Sequence, residues 1–291
     1  MRWTPGGESE DVEDRRSEGG GGGGGFGGSG IGGRHVGIGG LIVLGLLSLV
    51  FKRDLITPFL GISQDSAVAT SAPDPARDAS EQKLVQFVSF VLDDNQKTWN
   101  QILTTAGRPY EKTKLVLFRD ATESGCGTAE SATGPFYCPA DEKVYIDLAF
   151  YEELKRRFGA PGEFAQAYVI AHEIGHHIQK LLGVEAQVRK LQDRNPGQAN
   201  PLSVKTELQA DCFAGVWAHT TGERNLLEAG DVESALGAAA AVGDDHIQKM
   251  ARGRVSPETF THGSSEQRMK WFQAGYKSGQ VQACDTFAAG N

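Results

Sequence analysis

Residues 169–183 read VIAHEIGHHIQKLLG, which sets two histidines four apart with a glutamate directly after the first. On an α-helix four residues turn through about 400°, so His172 and His176 share one face with their rings roughly 6 Å apart. That spacing lets both imidazoles reach a single Zn²⁺ at about 2.0–2.1 Å. Glu173 is rotated by about 100° from His172. It falls beside such a metal rather than pointing at it, where a carboxylate can take a proton from a metal-activated water. Tyr168, Ile170, Ile174, Ile178, Leu181 and Leu182 supply apolar packing, and Gly183 is a natural helix stop. Gly175, between the histidines, weakens a helix by about 1 kcal/mol relative to Ala, which points to another segment passing close to the backbone there.

Two histidines leave a zinc site incomplete, and sites of the His₂Glu type draw a third ligand from a second helix. The stretch NPLSVKTELQADCFAGVWAHTTG, 200–222, predicts that helix, with Pro201 in the first turn and Gly222 at the end. It carries Glu207 and Asp211 four residues apart on one face. Acid pairs of this spacing are usually solvated helix charges; the preceding histidine pair gives this one a different reading. Glu207 can ligate, and Asp211 can accept the N–H of a ligating histidine and fix its tautomer. One Zn²⁺ is the cofactor this set implies.

Amide hydrolysis also needs a donor to the oxyanion. His262, in FTHGSS, is the best candidate for this catalytic role, with Tyr137 and Tyr145 as weaker alternatives. His177 falls off the metal face, as an outer partner of the site or in solvent. His246, in GDDHIQ, belongs to a polar cluster, and His219 and His35 carry no signal.

The elements that must position these groups read as an α+β domain, mostly helical after a small N-terminal β portion. A helix is predicted over 81–105 from Leu84, Phe87, Val88, Val91, Leu92 and Trp99, and strands over TKLVLF, 113–118, and KVYIDLAF, 143–150. GCGTAESATGPFYC, 125–138, reads as a loop. The boundaries are a disordered, Gly-rich and charged segment over 1–35, a transmembrane anchor over 36–53, a linker over 54–78 and the metallopeptidase domain over 79–291. The anchor rests on VGIGGLIVLGLLSLVF, an uncharged run whose helix would span about 24 Å against a bilayer core of about 30 Å. Basic residues flank it on both sides, so charge does not orient it.

A formal net charge of -8 and a pI near 5.4 argue against nucleic acid as a partner. The glycine tract at 19–25 lacks the lysine of a phosphate loop. Cys126, Cys138, Cys212 and Cys284 form no C-x-x-C pair, so a cysteine zinc site is not expected. Their even number suggests two disulfides and an oxidising compartment. Of the three pairings, Cys126–Cys138 is the obvious local one, which leaves Cys212–Cys284.

HEIGHH followed by ELQADCFAGVWA resembles the neutral zinc metallopeptidase family, a bacterial group of zincin-type, membrane-anchored proteins. The likeness extends to GCGTAESATGPFYCPADEKVYID upstream and to GDDHIQ, FTHGSSEQR and CDTF downstream, over roughly residues 80–287. It implies a zincin-like fold, His172, His176 and Glu207 as ligands, Glu173 as general base and Asp211 behind a ligand. It also implies 143–150 as an edge strand able to pair with an extended peptide. The function expected is a zinc-dependent endopeptidase acting on protein or peptide substrates, tethered to the bacterial inner membrane by a single pass with its C-terminal domain extracytoplasmic. The competing readings are a non-catalytic zinc-containing scaffold and a zinc hydrolase of cell-wall peptides. Oligomeric state is not legible.

Overall fold

The computed structural model describes residues 1–18, 75–131, 134–156 and 162–288. Its elements run β1 (Val12–Asp14), α1 (Pro75–Thr105), β2 (Lys114–Phe118), β3 (Ala121–Ser124), β4 (Gly127–Glu130), β5 (Phe136–Cys138) and β6 (Lys143–Asp147). Helices follow: α2 (Ala149–Arg156), α3 (Glu163–Leu182), α4 (Val184–Arg194), α5 (Ala199–Glu223), α6 (Asp231–Ala241), α7 (Asp244–Arg252) and α8 (Ser265–Ser278). The chain is mostly helical with some sheet.

The sheet has the order β1-β2-β6-β5, with β1, β2 and β6 parallel and β5 antiparallel to β6. Alternation along the strands splits the apolar residues between its two faces. Leu115, Leu117, Val144 and Ile146 join α1, α3, α5 and α8 in the main core, around Trp99, Phe164, Phe213, Trp217 and Phe272. Val116, Phe118 and Tyr145 face the other way, under the β3–β4 hairpin. The stretch expected as a loop, 125–138, therefore holds β4 and β5. The segment expected at the edge, 143–150, is an interior strand followed by the start of α2, and β5 is the edge next to the metal helix.

The amino-terminal residues are part of this body. β1 pairs with β2, the Trp3 ring meets Phe87 at 5.3 Å, and Trp3 Nε1 donates to Glu163 at 3.1 Å. The Met1 ammonium lies 3.2 Å from both Glu228 and Asp231. Arg16 is buried between Asp14 and Glu81 at 2.6 and 2.8 Å. The expected disorder thus does not hold for 1–18, where charged residues that looked solvated find partners across the fold.

The membrane tether has to be corrected. No helix among the described residues is long and apolar enough to cross a membrane. The run at 36–53 lies outside the described residues. The described residues on either side of it pack into one body, whereas a single crossing would put those two parts on opposite faces of the bilayer. The single-pass inner-membrane localisation that rested on that tether goes with it.

Close helix contacts carry the site. A Cβ on Gly175 of α3 would sit 3.0 Å from Ala210 of α5, which accounts for glycine between the two histidines. Between α5 and α8 the approach is closer still, a Cβ on Gly275 falling 1.9 Å from the Cys212 carbonyl oxygen. Gly275→Ala should therefore destabilise the fold by about 3 kcal/mol or more, read by chemical denaturation. Cys212 is bonded to Cys284, and Cys126 to Cys138, at Cα separations of 5.5 and 5.8 Å that suit such bonds.

Candidate metal centre

α3 ends where Gly183 turns left-handed with φ 78°, so the helix runs unbroken through both histidines. α5 packs across it and brings Glu207 to their Nε2 atoms. His172 Nε2 lies 3.2 Å and His176 Nε2 3.6 Å from the Glu207 carboxylate. One donor atom from each of the three falls within 4.8 Å of the others, and among the described residues these are the only three His, Cys, Asp or Glu side chains to converge in this way. Two imidazoles and a carboxylate at this spacing are a donor set that fits Zn²⁺.

Partners behind the two histidines decide which nitrogen of each ring would face a metal. His172 Nδ1 is 2.9 Å from Asp211 and His176 Nδ1 is 2.9 Å from the side-chain Oε1 of Gln179. Both partners are acceptors, so each Nδ1 carries a proton and Nε2 is the nitrogen left to give its lone pair to a metal. Gln179 is held in turn by donating to the Thr206 carbonyl at 2.7 Å. Asp211 is fully buried, clamped by the Arg268 guanidinium at 2.8 and 2.9 Å, and accepts from the Tyr168 hydroxyl. Sequence reasoning placed Tyr168 only as packing and missed Arg268 and Gln179. The one local signal was Gln179, one turn beyond His176.

Charge balance follows from this packing. Burial alone would raise the Asp211 carboxyl, but Arg268 and His172 outweigh it and hold it below the usual range. Burial likewise opposes charge on His172, yet Asp211 and Glu207 win and push its pKa up to about 10. Glu207 is lowered because His176, His172 and His262 together outweigh its own burial. In the metal-free protein the raised His172 contributes stability that is full below its unfolded value near 6.5 and is lost as pH rises through about 10. A metal must displace that proton. Zinc affinity should therefore climb by up to about tenfold per pH unit between pH 6.5 and 8.5, which chelator competition would measure. Asp211→Asn should weaken zinc binding by about 10–100-fold and, by stranding Arg268, destabilise the fold by about 3–5 kcal/mol. Zinc titration and denaturation read the two effects separately.

His172, His176 and Glu207 open onto a cleft of about 430 Å³ walled by Phe136, Phe150, Val169, Val242 and Ile247. Glu173 lines it, and so does His262. His262 is held by Asp244, whose Oδ2 accepts from the backbone N–H of Thr261, His262 and Gly263 at 2.7, 2.7 and 3.0 Å, while Oδ1 lies 3.3 Å from His262 Nδ1. Burial opposes protonation of His262, but Asp244 and Glu207 raise its pKa. Tyr145 lies on the far face of the sheet and donates to Asp141 at 2.7 Å. Tyr137 lines the cleft, but its hydroxyl is 3.0 Å from His177 Nδ1. His177 is buried rather than solvated, with its Nε2 2.7 Å from the Glu111 carbonyl oxygen. His219 lies 2.7 Å from the Tyr276 carbonyl oxygen, away from the cleft. His246 sits in the first turn of α7 and His35 lies outside the described residues.

Comparison with known proteins agrees with this chemistry. Two proteins from Escherichia coli strains, each called "Uncharacterized protein YpfJ", are 46% identical to this chain over 295 residues, covering 99% of both partners. "Uncharacterized protein Rv2575" of Mycobacterium tuberculosis is 47% identical over 202 residues, or 66% of each chain. No solved structure matches the chain. The family described as "Putative neutral zinc metallopeptidase" matches residues 1–287, taking in both the amino-terminal strand and helices α3 and α5. The chain belongs to this neutral zinc metallopeptidase family.

Proposed function

We propose that this chain is a zinc-dependent endopeptidase that hydrolyses peptide bonds in proteins or peptides, with one Zn²⁺ held by His172, His176 and Glu207. The convergence of these three side chains within 4.8 Å at the floor of an open cleft carries the reading. Zinc held by these three side chains would supply a water of lowered pKa and polarisation of a substrate carbonyl. Glu173 follows His172 in sequence and lines the cleft, in the right place to take a proton from that water and pass it to the leaving amine. His262, oriented by Asp244, offers an N–H to the carbonyl oxygen as charge builds on it. Asp211 and Gln179 keep the two imidazoles in the tautomer that leaves Nε2 free.

The substrate's path is suggested by β5, which pairs with β6 on one side and with no strand among the described residues on the other. An extended peptide can add to that free edge through backbone hydrogen bonds. Apolar walls suit a substrate whose side chains leave water on binding. The test is cleavage of a denatured protein by the zinc-loaded full chain, lost on chelation and restored by zinc. A protein that holds stoichiometric zinc and cleaves neither proteins nor peptides would instead be a non-catalytic zinc module.

A further inference from the structure

β5 has only three residues, and alternation puts Phe136 and Cys138 on the sheet face under the hairpin, from which Phe136 still reaches the cleft wall. Phe136 stacks on Tyr145 at 5.1 Å, and Cys138 is buried among the residues under the hairpin. Tyr137 points the other way, into the cleft and against α3. Its hydroxyl lies 3.0 Å from Nδ1 of His177, the residue after the ligand His176. The other nitrogen, Nε2, lies 2.7 Å from the Glu111 carbonyl, which can only accept, so Nε2 donates and Nδ1 accepts from Tyr137. Tyr110 covers the imidazole edge-on at 6.1 Å. One turn further along α3, Lys180 donates to the Pro139 carbonyl at 2.8 Å, just past the end of β5. The free edge strand is therefore stitched twice to the helix that carries both histidine ligands, and a slip of either element would break both stitches.

Resting on the endopeptidase reading above, we infer that the Tyr137–His177–Glu111 hydrogen-bond chain is a positioning device. It sets the distance between the metal ligands and an extended peptide paired with β5. Tyr137 and His177 act through the strand and not on the reacting atoms. Displacements of about 1 Å at a reacting centre can cost about 100-fold in rate, so a short strand held by so few backbone bonds benefits from a side-chain tie to the ligand helix.

The test uses binding, not turnover. Peptide hydroxamates, whose zinc-chelating end anchors them at the metal, are lengthened from a single residue to about five so that they extend along β5. Calorimetry gives their affinities for the zinc-loaded full chain, for Tyr137→Phe and for His177→Gln, with zinc content checked in each. The affinity ratio of longest to shortest hydroxamate should rise with length in the parent and fall by roughly tenfold in each variant, the scale of one hydrogen bond. A ratio unchanged by substitution, an equal weakening at every length, or no gain with length in the parent overturns the positioning role. If His177→Gln fails to fold or to hold zinc, Tyr137→Phe decides alone. A chain that shows the expected ratios but hydrolyses no peptide overturns the endopeptidase reading while this role stands.

Discussion

Glu173→Gln, loaded with stoichiometric zinc, should lose about 10²- to 10⁴-fold in turnover of a denatured protein, the usual scale for removing a general base. The amide has the size of the carboxylate but cannot take the proton. Metal retention should not follow it down, because Glu173 stands outside the group formed by His172, His176 and Glu207. Metal analysis beside initial rates separates the two quantities. Equal turnover in parent and variant would remove Glu173 from the reaction, and a parallel loss of zinc would make it a ligand.

Glu207→Ala tests the other half of the site. It removes the only anionic member of the three-residue group, which lies 3.2 and 3.6 Å from the two Nε2 atoms. Zinc affinity should fall by well over the 10–100-fold typical of removing an outer hydrogen-bond partner. The thermal stabilisation that zinc gives the parent should shrink with it, since a thousandfold loss of affinity corresponds to about 4 kcal/mol of linked stability. Zinc titration and melting with and without metal measure both. Unchanged affinity would mean that a different side chain completes the coordination. Asp211→Asn should fall between these limits, because it disturbs the orientation of His172 and leaves the ligand set whole.

Local spacing made much of the helical part legible. The 3.6-residue period brings His172 and His176 together whatever surrounds them, Gly183 stops the helix with a positive φ, and Gly175 foretold the passage of α5. β2 and β6 were readable from their β-branched and aromatic runs, the strand expected over 143–150 overrunning β6 only at 148–150. β4 and β5 were not, because glycines and a proline around such short strands spell a loop until a neighbour supplies hydrogen bonds. Charge was misread at the amino terminus: Asp14 and Arg16 fell in the segment expected to be disordered, yet they pair with each other, and Arg16 pairs also with Glu81, far along the chain.

The amino-acid sequence alone determined the pair of histidines, the adjacent glutamate and the acid pair on a following helix, because these depend on helical periodicity and side-chain chemistry. Tertiary structure alone decided that Glu207 meets the imidazoles, that Arg268 clamps Asp211, that Tyr137 is tied to His177, and that β5 borders the cleft. It also decided that residues 1–18 form one body with the described residues from 75 onward, against a single membrane crossing between them. Each of these contacts joins residues distant in sequence, and such contacts are set by how the core packs, which no local pattern encodes.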